Sequence, residues 1–345
     1  MIEKGVAHLR TAIWSALHFL VDMVCAWAMY AFFCEGNYES FLIYNFCAFA
    51  LQLPLGVLLD LYRQKHPELP TLCAAVGVAI TVTGAFLHPA ILGTGNALFH
   101  TGAGVDVIAE DFSLNRQGKY LGIFVAPGAI GLYAGMLLGK KLDHPLIGLT
   151  AGICMLLLLF FRFRLRPAYE DPARTEPERR GNLFLIGFCC FAVVIIRSVV
   201  GLSVSFPWKS VPLLGILAVF GAAAGKCCGG FLAARFGLCR TATITLLLAS
   251  VCYLLSEAAI FGLAAIFLFN MTMPLTLYLL ADKFPNQPGF AFGLLTFGLF
   301  LGFLPVYWQT DLVLAPQTLG AVGSAISCVL LIAAGKVAEY DKISS

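Results

Sequence analysis

The sequence is poor in charged residues. Asp, Glu, Lys and Arg make up only 12% of its 345 residues, whereas soluble domains carry about 25%. Hydrophobic residues make up 60%, compared with about 45–50% in soluble domains. The apolar runs, such as residues 154–161, are continuous and lack the alternation of membrane-spanning strands. We therefore predict an all-α membrane protein, because backbone groups in lipid must be paired within helices when no barrel forms.

Motifs of several other functional classes are also missing. The sequence contains no HExxH, no GxSxG and no phosphate-binding glycine loop, so we expect neither catalytic residues nor enzyme activity. It has no polybasic tail, and we expect no nucleic-acid partner. Most of the twelve cysteines lie within apolar runs and none forms a CxxC pair, which is typical of small hydrophobic residues in helix contacts. We predict no metal and no cofactor.

Twelve apolar segments are long enough to cross a bilayer, which takes about 20 residues. The first begins close to the N-terminus without a small-residue cleavage site, so it is predicted to be a helix and not a signal peptide. A polar segment, residues 166–181, is predicted to be a cytoplasmic linker between two six-helix bundles, residues 1–165 and 182–345. The predicted spans are 11–33, 40–62, 70–88, 89–109, 119–139, 144–165, 182–204, 211–234, 238–256, 258–281, 289–308 and 316–337.

The positions of Lys and Arg predict the orientation of the spans. If both termini are cytoplasmic, seventeen of these residues fall in cytoplasmic segments or at the cytoplasmic ends of spans. Three (Lys140, Lys141 and Lys209) fall in outer loops, and two (Arg197 and Lys226) lie further inside spans. An excess of Lys and Arg on the cytoplasmic side is the general rule. We therefore expect cytoplasmic termini, with the bacterial inner membrane as the location.

The two halves of the chain repeat a motif. The pattern D-x3-N-x2-G-x3-G begins at Asp111 after span 4 and again at Asp282 after span 10, an offset of 171 residues. A weaker repeat relates the segments after spans 2 and 8. Parallel repeats of six helices form one of the known transporter architectures. We therefore predict two pseudo-symmetric six-helix bundles.

The segment after span 2 resembles the signature loop of the major facilitator superfamily. Gly56, Asp60, Arg63 and Lys65 match its pattern of a glycine, an aspartate four residues later, and basic residues. The second copy, after span 8, keeps Arg235 but has lost the aspartate. The resemblance implies a major facilitator fold. It also implies that these five residues form a gating loop, whose charge contacts stabilise one face of the alternating cycle.

Residues 90–140 resemble a narrower branch of that superfamily. The segment GTGNALFH at residues 93–100 precedes a glycine-rich span 5, and both are similar to the fosmidomycin-resistance branch. This resemblance implies proton-driven efflux of a small molecule, without identifying that molecule. The GxxxG spacings at Gly131, Gly135 and Gly139 are interpreted as positions of close helix packing.

Polar side chains recur on every third span. An ionisable group at the bilayer centre costs about 2.5–3.5 kcal/mol and is therefore a candidate for function. The resemblance implies that spans 1, 4, 7 and 10 line a central cavity. The residues are His18 and Asp22 in span 1, Asn96 and His100 in span 4, Arg197 in span 7, and Asn270 and Pro274 in span 10.

Asp22 and His18 are the predicted proton-coupling residues. They are four residues apart and therefore share one face of a helix. A carboxylate held between burial and a nearby cation can exchange protons near neutral pH, and His18 would tune it. Two alternatives stay open: Asp22 as a structural partner of a polar neighbour, and the two histidines as metal ligands.

Arg197 is interpreted either as an anion-binding residue or as the partner of Asp22, with snorkelling to an interface as the alternative. Asn96, His100, Asn270 and Pro274 are predicted to line the substrate cavity. The expected partners are a small anionic or zwitterionic substrate, protons and the lipid bilayer, and the expected state is a monomer. The acidic residues at the inner end of span 4 (Asp106, Glu110 and Asp111) are expected to be solvated or paired with a loop.

A secondary transporter working by proton-coupled efflux is the leading prediction. An importer of a small anion is a second possibility, since direction is not encoded in these motifs. A third is a non-transporting sensor or assembly subunit on the same fold. Buried charges argue against this third possibility, because burying a charge in the membrane costs free energy and a non-transporting subunit gains no function from it.

Overall fold

A computed structural model of the protein describes residues 2–34, 38–165, 182–309 and 314–343. Within these ranges all regular elements are helical. The α-helices are α1 Ile2–Ala28, α2 Tyr38–Asn45, α3 Gln52–Tyr62, α4 Leu69–Gly84, α5 Pro89–Ser113, α6 Lys119–Gly139, α7 Leu146–Arg164, α8 Leu183–Ser203, α9 Pro212–Phe236, α10 Leu238–Leu254, α11 Ala259–Asn270, α12 Thr272–Lys283, α13 Pro288–Tyr307 and α14 Pro316–Ile343.

These helices form the twelve predicted spans. In the described ranges, nine helical segments are long and apolar enough to cross a membrane; one combines α2 with α3, and another combines α11 with α12. Helices α4 and α10 are apolar but shorter. The twelfth, α5, is 25 residues long and carries acidic residues in its last turns. The predicted all-α fold of twelve helices is therefore confirmed.

Two prolines explain why two of the spans are interrupted. Pro54 lies in α3 and Pro274 lies in α12, and in each case the α-helix is broken three residues earlier, at Leu51 and Met271. A proline ring clashes with the carbonyl of the residue four positions before it and lacks the N–H of a helical hydrogen bond. The preceding turn must open, as a π-helical turn before Leu51 and as a break at Met271.

Helices α4 and α5 form a tight antiparallel pair. A tight turn at His88 and Pro89 joins them: the His88 side chain accepts a hydrogen bond from the Ala90 N–H at 3.1 Å, and Pro89 begins α5. A Cβ at Gly77 would overlap the backbone of Phe99, so the two helices can approach this closely only because residue 77 is glycine. The close pairing fixes the face that α5 presents to α1.

The chain forms two compact units with the same internal packing. In the first, α1 packs against α5 and α7, and α4 packs against α5 and α7. In the second, α8 packs against α12 and α14, and α10 packs against α11 and α14. The repeat seen in the motifs is therefore also a repeat of helix contacts, as pseudo-symmetric bundles require.

The two units comprise several segments each. The first consists of Met1–Asn115, Ile123–Glu170 and Gln287–Phe297, and the second of Arg116–Gly122, Asp171–Asn286 and Gly298–Ser345. The predicted linker, residues 166–181, lies outside the described residues. The predicted division into 1–165 and 182–345 stays a prediction.

Helix α6 packs on α1 through the glycines with GxxxG spacing. A Cβ at Gly131 would overlap the Phe19 carbonyl group, and a Cβ at Gly135 would overlap the Met23 carbonyl oxygen. The backbones of α1 and α6 are thus in direct contact, which small residues make possible in membrane helices.

Replacing Gly135 with alanine should destabilise the first unit. The new methyl group would force α6 away from α1, and overpacking of this kind costs about 1–3 kcal/mol. The matched control is Gly187→Ala in α8, where a Cβ would meet no atom within 4 Å. We expect the thermal unfolding temperature in detergent to fall for Gly135→Ala and to stay within error for Gly187→Ala. Equal effects of the two substitutions would contradict this packing.

Candidate functional site

Four of the predicted site residues lie together inside the first unit. His18 and Asp22 on α1 face Asn96 and His100 on α5, and all four residues are buried. The Asp22 carboxylate lies 3.2 Å from His18 Nε2 through Oδ2 and 3.5 Å from His100 Nε2 through Oδ1. The two imidazole rings meet edge to face, with centroids 4.5 Å apart. We call these four residues the His–Asp cluster.

Backbone carbonyl groups fix the orientation of both imidazoles. His18 Nδ1 lies 2.8 Å from the Phe124 carbonyl oxygen of α6, and His100 Nδ1 lies 2.9 Å from the Asn96 carbonyl oxygen. A carbonyl oxygen only accepts hydrogen bonds, so Nδ1 carries the proton in both rings. Each Nε2 therefore faces Asp22. It is the ring nitrogen that either carries a second proton or keeps its lone pair.

The surroundings of the His–Asp cluster are closely packed. The Asn96 amide donates to Asp22 Oδ1 at 3.3 Å, while its Oδ1 is buried with no hydrogen-bond partner in the described part of the chain. A Cβ at Gly128 would overlap His18 Nε2 and approach Asp22 Oδ2, so the α6 backbone closes directly over the cluster. No sequence pattern indicates that Gly128 lies here.

The cluster is part of a longer row of polar pairs between α1 and α5. On α1 the row uses positions 10, 14, 18 and 22, spaced by four residues. Arg10 binds Glu110 through two hydrogen bonds of 2.8 and 2.7 Å. The Trp14 indole N–H donates to Asp106 at 2.6 Å, and Arg162 of α7 donates to the same carboxylate oxygen.

The expectation for the acidic end of span 4 was wrong. Glu110 and Asp106 pair with side chains of α1 and α7, and Glu110 and Asp111 are buried. Their partners Arg10 and Arg162 are among the seventeen Lys and Arg residues counted as cytoplasmic above. The four-residue spacing from Arg10 to Asp22 was the signal that could have revealed this row.

The remaining cavity candidates lie in the second unit. The Arg197 Nε–H on α8 is buried and has no hydrogen-bond acceptor among the described residues. The Asn270 amide donates to the Ile266 carbonyl oxygen at 2.9 Å within its own helix. Pro274 is buried in α12 after the break at Met271. These three residues therefore belong to a different unit from the His–Asp cluster.

The predicted gating-loop residues have different environments. The Asp60 carboxylate accepts hydrogen bonds from the Gly289 and Phe290 N–H groups, at 2.9 and 2.7 Å. These N–H groups open α13 and have no intrahelical partner, so the carboxylate caps that helix. Gly56 allows the contact, because a Cβ there would overlap the Gly289 carbonyl group.

The basic residues of the same motif differ in their exposure to solvent. Arg63 is buried and lies 3.6 Å from Asp60, while Lys65 is exposed. Arg235, from the second copy, is exposed and lies over the Phe236 ring at 5.4 Å. The second copy, which lacks the aspartate, therefore has its arginine on the surface.

The chemistry available to the His–Asp cluster is cation binding. If both imidazoles are neutral, two nitrogen lone pairs and a carboxylate point at one another, which is repulsive. A proton on either Nε2, or a metal ion among the three groups, removes that repulsion. The ion pairs of Arg10 and Arg162 differ in this respect, because guanidinium groups stay charged.

Removing Glu110 should destabilise the fold, because Arg10 would be left as a buried charge without its carboxylate. Breaking a buried pair in this way costs about 3–5 kcal/mol. We expect Glu110→Gln to lower the free energy of unfolding in detergent by this amount, and the double variant with Arg10→Met to recover most of it. Glu68→Gln is the control: its pair with His66 is exposed, and such pairs contribute at most about 1 kcal/mol. A similar loss in both single variants would contradict the role of the Arg10 pair.

A family model identifies the chain as a transporter. Residues 40–307 match the model described as Major Facilitator Superfamily. Comparison with curated proteins found no significant match. Among solved structures, the fold is similar to that of a variant of the Escherichia coli fucose:proton symporter FucP, with a TM-score of 0.68 and 15% sequence identity over 98% of both chains.

Two further structures share the fold. The human organic anion transporter MFSD10 matches with a TM-score of 0.62 and 15% identity, covering 96% of this chain and 99% of the other. A variant of the nucleoside transporter NupG matches with a TM-score of 0.58 and 13% identity, covering 96% and 99%. The chain belongs to the major facilitator superfamily and is a multi-pass integral membrane transporter, not an enzyme.

Proposed function

We propose that this protein exports a small anionic or zwitterionic molecule in exchange for protons, with Asp22 and His18 as the proton-coupling residues. The observation that carries the proposal is the His–Asp cluster, a buried carboxylate in contact with two imidazoles. Histidine is the side chain whose charge changes most readily near neutral pH. A carboxylate paired with histidines can therefore exchange protons, whereas one paired with arginine is held charged.

The surroundings of Asp22 support this choice over a purely structural role. His18 and His100 face its two oxygens, and Asn96 donates to one of them. These partners of Asp22 are two imidazoles and one neutral amide.

Arg197 supports an anionic or zwitterionic substrate. Its Nε–H is buried without an acceptor among the described residues, and a buried donor of this kind is costly unless a ligand satisfies it. Asn96, His100, Asn270 and Pro274 are proposed to line the path. The organic anion transporter MFSD10 shares the fold, at an identity too low to transfer its substrate.

The direction of transport, the membrane location and the gating loop are proposed from sequence patterns. The GTGNALFH segment favours efflux through its resemblance to the fosmidomycin-resistance branch. We further propose a monomer in the bacterial inner membrane with both termini cytoplasmic, from the distribution of Lys and Arg. Gly56, Asp60, Arg63, Lys65 and Arg235 are proposed as the gating loop, because Asp60 caps α13 through hydrogen bonds that a conformational change would break.

The proposal predicts proton release when substrate binds. A thermal-stabilisation screen of small carboxylates, phosphonates and amino acids first selects a ligand that stabilises wild type but not Arg197→Ala. Ligand at 100 times its Kd stabilises by about 2.7 kcal/mol, which such a screen detects. Adding this ligand to wild-type protein in weakly buffered detergent should acidify the solution, and Asp22→Asn should abolish the change.

The control for proton release is Asp143→Asn, because Asp143 is an exposed carboxylate. It should release protons as the wild type does. Proton uptake on ligand binding would instead favour the importer, since a symporter binds substrate and proton together. Undiminished release from Asp22→Asn would show that coupling resides elsewhere, and ligand binding without transport in proteoliposomes would favour a sensor.

A further inference from the structure

We propose that His18, Asp22 and His100 form a binding site for a divalent transition-metal ion of the zinc class. The three side chains offer two imidazole nitrogens and a carboxylate oxygen, and the three ligand atoms lie within 4.8 Å of one another. All three residues are buried. The inference concerns ion binding and does not depend on the proposed proton-coupled export.

The distances fit a metal site better than hydrogen-bonded ion pairs. The Asp22 oxygens lie 3.2 Å from His18 Nε2 and 3.5 Å from His100 Nε2. Charge-assisted N–H···O bonds are shorter, at about 2.7–2.9 Å. Zinc binds nitrogen and oxygen ligands at about 2.0–2.1 Å in a tetrahedron, which places neighbouring ligand atoms about 3.3 Å apart. Each of the two contacts uses a different Asp22 oxygen and is close to this ligand spacing, and the widest separation within the set, up to 4.8 Å, must shorten when an ion binds.

The hydrogen bonds behind the histidines are those of metal-binding imidazoles. Metal-bound histidine almost always donates its second ring N–H to a backbone carbonyl or a carboxylate, which fixes the ring and raises its basicity. His18 Nδ1 donates to the Phe124 carbonyl oxygen, and His100 Nδ1 donates to the Asn96 carbonyl oxygen. Both Nε2 lone pairs are thereby directed at the space that Asp22 also faces. This observation is independent of the spacing.

The polar groups beside the cluster complete such a site. The Asn96 amide donates to Asp22 Oδ1, which would hold the carboxylate in place as a ligand. The Asn96 Oδ1 is buried without a partner among the described residues and could accept from a metal-bound water. Three protein ligands leave a fourth position for that water. The two-nitrogen, one-oxygen set favours zinc, cobalt or nickel over magnesium or calcium, which prefer oxygen ligands.

Cobalt binding to the purified protein tests the site. Co²⁺ replaces zinc in tetrahedral sites and gives intense visible absorption there, which octahedral Co²⁺ in solution lacks. Full-length protein in detergent is stripped with EDTA, its cysteines are blocked with N-ethylmaleimide, and CoCl₂ is added at pH 7.5. We expect one Co²⁺ per chain with tetrahedral absorption and no thiolate charge-transfer band. His18→Gln, Asp22→Asn and His100→Gln should each weaken binding at least about 10-fold.

His66→Gln is the matched control, because His66 contacts Glu68 in an exposed histidine–carboxylate pair. It should bind Co²⁺ as the wild type does. Wild-type protein that shows no tetrahedral Co²⁺ absorption at millimolar CoCl₂ would overturn the inference whether or not the variants fold. Unchanged binding by folded Asp22→Asn and His100→Gln would also overturn it. Proton release without Co²⁺ binding would leave the proposed export intact, and the converse result would leave the metal site intact.

Discussion

The contact between the Asp22 carboxylate and the two imidazoles of His18 and His100 is the interaction on which the proposed chemistry depends. It places three ionisable groups in a region that the fold surrounds with apolar helices. An unneutralised charge at such a depth costs about 2.5–3.5 kcal/mol or more. The groups must therefore share protons or a metal ion, and the state of one constrains the others. A carrier requires such coupling, because its ion site must bind and release ions as its surroundings change.

The rest of the first unit holds that contact in place. Arg10 with Glu110, and Arg162 with Asp106, pair permanent positive charges with carboxylates at the far end of the same helices. Because guanidinium groups do not titrate, these pairs hold α1 against α5 and α7 whatever the state of the cluster. Gly128 lets the α6 backbone close over the site, and Gly77 lets α4 pack closely against α5. Fixed charges thus provide the scaffold, and titratable groups occupy its centre.

The sequence predicted the fold and much of the cluster because both depend on local patterns. Twelve apolar runs, a repeated motif and polar residues on every third span define the helices. The spacing of His18 and Asp22 predicts their shared face, since helix geometry decides it. Which residues of α5 meet that face depends on helix rotation and tilt, which neighbouring helices determine.

Other features were beyond sequence reasoning for physical reasons. The role of Gly128 follows from the approach of α6 to α1, and a glycine in a glycine-rich helix carries no sign of which neighbour it touches. The acidic residues of α5 were expected to be solvated because counting charges by loop ignores pairing between helix ends. Asp60 was recognised by its motif, yet its partners are the backbone N–H groups of Gly289 and Phe290, which no side-chain pattern encodes.

The most direct measurement of the central contact is the protonation pattern of the two imidazoles, by solid-state NMR of ¹⁵N-histidine-labelled protein in lipid. The chain has only six histidines, so His18→Gln and His100→Gln assign the two signals by difference. The account predicts a protonated Nδ1 in both rings, with Nε2 chemical shifts that change when acid or zinc is added. Neutral rings with the proton on Nε2 and a bare Nδ1, unchanged by either addition, would contradict it.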